Sequence, residues 1–539
     1  MIKLDDIRRH AAGGVTRDAL VDGQVRLTWG QFAETVERTA AGLTEHLPQE
    51  GAVRAVFLAG NSWQLTVAMS ACATLGVSCT GLDPQSGTDD LGQLLSWLEP
   101  SVVFVTSEHR ATLDQLVWPS GPKAVHVLLD GITAPGAPAA PGKHEALNFD
   151  LLTSAEPLRT LPAPRPYESF AVSARGEGPS RLAVRRTPSE GRHLVDLVDE
   201  FGLNRDDVHL ACAPPTEPTA LALALARTML GIGATVVLAD GAGPETLTAL
   251  LVAERVSTGV ITPSALHGVL GLPETTEPSP RTRHLRFLLT PGAHLGRWTV
   301  NTAWERLGPV LHTALGSAET GLTAVMGPEE LLVSPPRSGH TTLGTTVAVL
   351  GEDGQPVRQG ESGRLAFAGH QVMDGYLDGE TRVAELDLGW GVERFLVTDE
   401  SGYVDETGRL LVTGRVTEVP VVVRDSAVDT ELFRLESDLL NLPCLRDTAV
   451  MRVSSAVLGD AIVVPFIAVA VGREATGYQA LSAACARRVP SLPAHVIAVD
   501  TIPYSPTGRI RTGDLLDAVL PIITLNLQLE QSMQQEMSA

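Results

Sequence analysis

Short apolar runs alternate with longer stretches of helical periodicity through the first part of the chain. Leu27-Thr28-Trp29 reads as a strand end, followed by a helix whose apolar positions Phe32, Val36, Ala40 and Leu43 fall on one face. Arg54 to Ala59 reads as a buried strand, Trp63 to Gly76 as a buried helix and Val77-Ser78-Cys79 as a further strand. Val102 to Val105 and Ala124 to Leu129 repeat the strand signal, and the Pro/Gly/Ala-rich stretch Ile132 to Gly142 reads as a surface loop. This alternation predicts mostly parallel sheets covered by helices, an α/β class. A second α/β block runs from Leu194 to Val310, with strands at Val236 to Leu238 and Gly259 to Ile261 and an apolar helix at Leu221 to Leu230. From Pro335 to Val412 the texture changes to short strands with Gly turns, such as Gly363 to Phe367, which predicts a small β-subdomain. A further unit is expected to follow Gly414-Arg415 as far as Leu520, and Gln528 to Ala539 is polar and reads as an end expected to fray. The expected division is 1–414, containing α/β parts 1–193 and 194–334 and a β part 335–414, then 415–520 and a tail 521–539. No internal repeat is visible.

Composition narrows the function classes. A chain of 539 residues with 44% hydrophobic and 19% charged residues buries a large core. Its formal charge of −22 repels phosphate backbones, so nucleic acid is not an expected partner, and any nucleotide must be held by local donors against the overall field. The five cysteines, Cys72, Cys79, Cys212, Cys444 and Cys485, form no CxxC pair and read as buried thiols in a reducing cytosol. The start, Met1-Ile2-Lys3-Leu4-Asp5-Asp6, is charged at once, and no apolar run reaches the ~20 residues of a membrane span; a cytoplasmic protein without signal peptide is the expectation.

Two segments carry candidate chemistry. Ala314-Leu315-Gly316-Ser317-Ala318-Glu319-Thr320-Gly321 puts one carboxylate among small residues after an apolar strand. Pro503-Tyr504-Ser505-Pro506-Thr507-Gly508-Arg509 is a Pro/Gly turn presenting one cation. A carboxylate can hold Mg²⁺ against ATP phosphates, and a mobile cation can neutralise the charge that develops as a phosphate leaves. In this order the segments resemble the adenylate-forming ligases: acyl-CoA synthetases, peptide-synthetase adenylation domains and luciferases. The likeness covers roughly 20–517, and further segments carry it: Leu27-Thr28-Trp29 through Gly42-Leu43, Gly375-Tyr376 with Thr381, and Gly402 to Leu410 followed by Gly414-Arg415. It implies a large N-terminal domain of two α/β sheets and a β-barrel-like part, then a small mobile α+β cap.

The resemblance also implies site roles. Phe170 to Val184 corresponds to the family's phosphate loop, with Ser173, Gly176 and Gly178 as cradle and Arg181 where the family has Lys. Glu177 is out of keeping, since a carboxylate ~4 Å from a phosphate oxygen costs up to ~4 kcal/mol at an effective dielectric of ~20; Arg175 or Mg²⁺ could offset it, or Glu177 could face solvent. Glu319 is implied as the Mg²⁺ ligand, Thr320 as an α-phosphate contact, Leu315 as an apolar wall where the family stacks a Tyr on adenine, and Gly292-Ala293 with Gly316 as adenine-site turns. The bland alternative makes Thr313 or Ser317 a helix N-cap. Asp399 or Glu400 accepts the ribose hydroxyls, depending on register, with Arg415 as the matching cation. The hinge falls at Arg415 to Glu418 around Thr417. The following Val421 to Asp425 lacks the family glycine, which puts coenzyme A in question. Arg509 stands for the catalytic Lys; it keeps the charge in a longer, planar group. His294 and His312 read as structural, and Pro214 to Pro218 suggests a small acid pocket. The implied activity is ATP- and Mg²⁺-dependent adenylation of a small acid, then transfer to a carrier-protein thiol, coenzyme A or an amine. A binding module that keeps only the fold, and activation of an oxyacid such as nitrite, are the alternatives.

Overall fold

The computed structural model describes residues 2–14, 16–48, 51–84, 86–116, 124–131, 146–158, 165, 167–173, 180–186, 189–212, 220–272, 282–291, 295–333, 338–377, 379, 381–415, 435–442, 445–455, 459–468, 497–499, 502–503, 510–511, 513–518, 520–521 and 525. Its first α/β layer is a five-stranded parallel sheet in the order Ser78–Gly81, Arg54–Leu58, Val102–Val105, Val125–Leu128, Ala146–Asn148. Val102–Val105 is buried at every position because helices cover both faces of the sheet. The helix Trp29–Thr44 starts at a capping box between Thr28 and Gln31, which satisfies two backbone amides at once. Its stripe Phe32, Val36, Ala40 and Leu43 is fully buried, as the periodicity predicts. Trp63–Thr74 is buried continuously from Leu65 to Ala73, so it has no solvent face at all.

The second layer is part of a 14-stranded sheet. Its parallel part runs Leu311–Ser317, Phe287–Pro291, Thr258–Val260, Val208–Ala211, Thr235–Leu238, Asp18–Asp22. The last strand comes from the beginning of the chain, so the expected boundary at 193/194 is crossed: the hairpin Asp18–Asp22/Val25–Thr28 belongs to the second layer. Ala19, Leu20 and Val21 are all buried, and a strand apolar on both faces is stable only inside a covered sheet; local pattern does not say which one. At the other end Leu311–Ser317 turns back as Gly321–Met326, and the ladder continues antiparallel through Ser338–Thr341 and Leu410–Arg415 to Val392–Val404, Gly363–Gly369 and Thr345–Leu350. The expected β part is therefore hydrogen-bonded to the second α/β layer without a break.

A three-stranded sheet lies between these layers in the chain's path. Glu168–Ser173 and Arg181–Arg186 form a hairpin, and Gly375–Tyr376 adds to its second strand. The C-terminal unit contains Asp447–Ser455 antiparallel to Gly459–Ala468, with Ile497–Val499 parallel to the latter. It packs on the start of the helix Arg297–Leu307: Thr299 donates to the Arg446 carbonyl at 3.3 Å, and a Cβ on Gly296 would stand 3.3 Å from that same oxygen. Leu435, Leu439, Leu440 and Leu445 are buried there. The expected loop at Ile132 to Gly142 and hinge at Thr417 lie outside the described residues.

Candidate active site

The strand Leu311–Ser317 ends in a turn, not in the helix that the N-cap alternative requires; the chain comes back as Gly321–Met326. Ser317 and Thr320 close the turn. The Ser317 amide donates to Thr320 Oγ1 at 3.1 Å, and the amides of Thr320 and Glu319 donate to Ser317 Oγ at 3.2 and 3.3 Å. Two glycines make it possible. A Cβ on Gly316 would lie 2.1 Å from the Gly321 carbonyl oxygen, and Gly321, at φ +65°, would meet the Gln371 side chain at 2.8 Å. Thr320 is 3% exposed, and its hydroxyl accepts from the Ser317 amide and donates to the Gly321 carbonyl, so it helps to shape the turn.

Glu319 is aimed out of the turn at the three-stranded sheet. Its Oε1 accepts from the hydroxyl of Ser173, at the end of Glu168–Ser173, and from Tyr376 OH at 2.8 Å. Its carbonyl accepts from the Met373 amide at 2.8 Å, which ties the turn to the segment that carries Tyr376. Arg181 is buried, with its guanidinium carbon 3.6 Å from the Tyr376 ring centroid. Arg185, also buried, donates to the carbonyls of Gln371 (2.7 Å) and Ala318, bracing both segments from behind. Ala171, Ala183, Ala318, Met373 and Leu396 form the apolar floor.

Burial alone pushes the Glu319 carboxyl up, but hydrogen bonds from Ser173, Tyr376 and Ser317 outweigh it and leave the group below the usual glutamate range. Glu319 is thus an anion at neutral pH, stabilised by neutral donors that leave its net charge intact. No group of three His, Cys, Asp or Glu side chains suited to a metal occurs among the described residues. A lone carboxylate fits Mg²⁺ delivered with a nucleotide, because Mg²⁺ keeps waters and shares its shell with substrate phosphates.

The two ribose candidates are placed differently. Asp399 is half exposed and accepts from Arg382 Nη1 at 2.9 Å, with Arg364 Nη1 at 3.8 Å. Glu400 is directly across the ladder from Arg415, and a register irregularity follows at Ser401/Gly402. Leu315 is half-buried against the cluster of Ala324, Val349, Leu365, Phe367 and Leu410. At His312 burial lowers the pKa, and its Nδ1 lies 2.9 Å from the Val310 carbonyl. Burial, with Asp240 adding to it, pushes the Cys212 thiol up to about 12, which removes it as a nucleophile. Gly176, Gly178, Gly292, Ala293, Arg509, Arg175, Glu177, His294, Pro214 to Pro218, Val421 to Asp425 and the Arg415 side chain lie outside the described residues.

Tyr376, quoted in the sequence only as part of a motif, and Arg185 line the candidate site without the sequence having given either a role there. Gly375-Tyr376 with Thr381 is legible only as a motif; here it is a physical unit, the Tyr376 amide donating to Thr381 Oγ1 at 3.1 Å. Arg185 gives no sequence signal, since a basic residue in a strand reads as solvent-facing.

A family model described as AMP-binding enzyme matches residues 7–157 and 191–377. Among curated proteins, the indoleacetate–CoA ligase of Aromatoleum aromaticum is 25% identical over 521 residues, covering 95% of this chain and 97% of that protein. Among solved structures, a benzoate CoA ligase from Burkholderia xenovorans superposes with a TM-score of 0.76 at 17% identity, covering 95% of this chain and 99% of that one. The amide bond synthetase of Marinactinospora thermotolerans gives a TM-score of 0.73 at 20% identity, covering 95% and 98%. At these identities the structural likeness speaks for the fold, and the fold is that of ligases with a large domain and a small cap. No described helix is long and apolar enough to cross a membrane. With the family model spanning both α/β layers and the Glu319 turn, the chain belongs to the AMP-binding enzymes of the adenylate-forming superfamily.

Proposed function

We propose that this protein is an adenylate-forming ligase that joins a small acid to AMP and passes the acyl group to a thiol or amine. The observation that supports this most directly is Glu319: an anionic side chain held by two neutral hydroxyls from separate segments, on a turn the two glycines keep tight. Glu319 would hold Mg²⁺, which when bound supplies charge neutralisation along the triphosphate. Leu315 would wall the adenine. Glu400, which an ungapped register from Gly402-Tyr403 puts at the ribose position, would accept the ribose hydroxyls, and Asp399 would do so under a one-residue shift. Ser173, Gly176, Gly178, Gly292, Ala293, Gly316, Arg415 and Arg509 keep the roles the family likeness implies for them. In the first step an oxygen of the acid attacks the α-phosphorus, and the α–β P–O bond breaks with its electron pair leaving on pyrophosphate. In the second the acceptor S–H or N–H attacks the acyl carbon, AMP leaves with the C–O pair and the acceptor proton passes to solvent. Alignment of the acid with the α-phosphate supplies most of the first-step advantage.

Names of relatives suggest where to begin with acids: indoleacetate and benzoate, then short aliphatic acids and nitrite, each with coenzyme A and with simple amines as acceptors. The test is pyrophosphate release by the purified protein with MgATP and this panel, alongside thermal shift by MgATP. Acid-dependent release is the expected result. A thermal shift without release from any acid would make the protein a nucleotide-binding module. Neither shift nor release would overturn the ligase reading altogether.

A further inference from the structure

We propose that Arg181 and Tyr376 form a positioning pair for Glu319, with Arg181 serving the site through the Tyr376 ring instead of touching a phosphate. The sheet register creates the pair. Ser173 lies opposite Arg181 across the hairpin, and Tyr376 lies opposite Ala183 on the neighbouring ladder. Side chains two apart on a strand share a face, and diagonal neighbours across a ladder are within reach of long and aromatic groups. Ser173, Arg181 and Tyr376 therefore share the face of the three-stranded sheet that meets the Glu319 turn.

On that face the Arg181 guanidinium carbon lies over the phenol, 3.6 Å from its centroid, well inside the distance at which a guanidinium and a ring attract. The stack fixes the ring, and a cation on the ring draws electron density from the phenol, making its O–H a stronger donor to the carboxylate. Tyr376 OH and the Ser173 hydroxyl then converge on the single oxygen Oε1. The backbone is equally tied down, by the Met373 amide on the Glu319 carbonyl and by Thr381 on the Tyr376 amide. A carboxylate held this way has little orientational freedom left to lose when a metal–nucleotide arrives, which is the general benefit of preorganisation.

This inference rests on the reading that Glu319 takes the metal of MgATP, and the experiment separates the two. The variants Arg181→Met, Tyr376→Phe and the double are titrated with ATP in Mg²⁺ and in EDTA, and their thermal midpoints are measured without nucleotide. The expected result is a loss of about threefold to tenfold in ATP affinity for each single variant, in Mg²⁺ only. The double variant is no weaker than the worse single, and the nucleotide-free midpoints are likewise non-additive. Arg181→Lys, which keeps the charge over the ring, restores part of the loss. A direct phosphate contact gives a different result: Arg181→Met weakens ATP in EDTA as well, and as much in the Tyr376→Phe background as in the wild type; that overturns the proposal. If the wild type binds no ATP, the ligase reading fails, and the nucleotide-free cycle decides the pair alone, additive midpoints overturning it and coupled ones supporting it.

Discussion

Glu319 and Asp399 are both carboxylates that sequence alone offers to a nucleotide, and the fold treats them in opposite ways. Glu319 is partly buried and receives two hydroxyl donors from segments remote in the chain. Asp399 is half exposed and sits against Arg382 and Arg364. Hydroxyl donors stabilise an anion without cancelling it, so Glu319 keeps a full charge to offer a cation. Arginines cancel it: whatever approaches Asp399 meets a locally neutral or positive surface. A carboxylate meant for a metal therefore needs polar but uncharged neighbours, and these are harder to see in a sequence than a salt-bridge partner.

The largest test of this contrast is Glu319→Gln. The amide oxygen can still accept from Ser173 and Tyr376, so the protein folds, but the charge is gone. Pyrophosphate release should fall about 10²–10³-fold, the usual cost of removing a group that stabilises developing charge in a closed site. A fall of less than about tenfold in steady-state rates would remove Glu319 from the chemistry. Next in size is Gly316→Ala, which leaves the charge and attacks the turn that aims it. Its new Cβ would be 2.1 Å from a backbone oxygen, so the hairpin must open, at about 1–3 kcal/mol. A lowered thermal midpoint together with lost MgATP binding is expected, and a midpoint unchanged within error would show that the turn is not held as described.

Much of the scaffold for this contrast is legible in the sequence, because burial on two faces or on one helical stripe leaves a periodic trace. Val102–Val105 and the Phe32, Val36, Ala40, Leu43 face are such cases. What periodicity cannot carry is partnership. Asp18–Asp22 looks like any apolar strand, and its neighbour Thr235–Leu238 is named nowhere nearby. Thr320 stands in the motif as a hydroxyl for a ligand, and the motif does not show that it also bonds the local backbone and shapes the turn. An ungapped reading puts Glu400 at the ribose position and a one-residue shift puts Asp399 there, and the ladder itself has a register irregularity directly after them at Ser401/Gly402. Tyr376 becomes part of the site only when Gly375–Tyr376 pairs with Arg181–Arg186.

The ribose side gives a smaller effect. Glu400→Gln should raise the KM for ATP about tenfold, since a hydrogen bond to a charged group contributes roughly 1.5–3 kcal/mol. Asp399→Asn should leave that KM within about twofold and cost at most ~1 kcal/mol of stability, as exposed ion pairs do. The reverse ranking of the two KM values would move the ribose acceptor back to Asp399.

The smallest effect, and the finest probe of the contrast, is the pH profile of stability. Glu319 has a folded pKa below its ordinary value, so its contribution is present above the ordinary glutamate range and is lost as pH falls through the lowered folded value. Because its donors are neutral, nothing removes that contribution on the alkaline side until tyrosine itself ionises. The pair His340–Glu200, at 3.2 Å, supplies the opposite case. The Glu200 hydrogen bond raises the His340 pKa, so its contribution is full below the ordinary histidine value and disappears as pH rises through the raised one. Burial works against the Glu200 carboxylate, and the His340 and Leu343 hydrogen bonds still leave it lowered, which gives the pair an acid edge too. Thermal midpoints of Glu319→Gln and His340→Asn, each subtracted from the wild type across pH 3–9, should therefore differ in shape. The first difference shrinks only in acid and stays level from neutral pH to about pH 9. The second shrinks at both ends, and by little, because His340 is half exposed and solvent screens it. A first difference that also shrinks between about pH 6 and 8 would mean that a histidine shares the Glu319 carboxylate and that its donors are not the neutral hydroxyls of Ser173 and Tyr376.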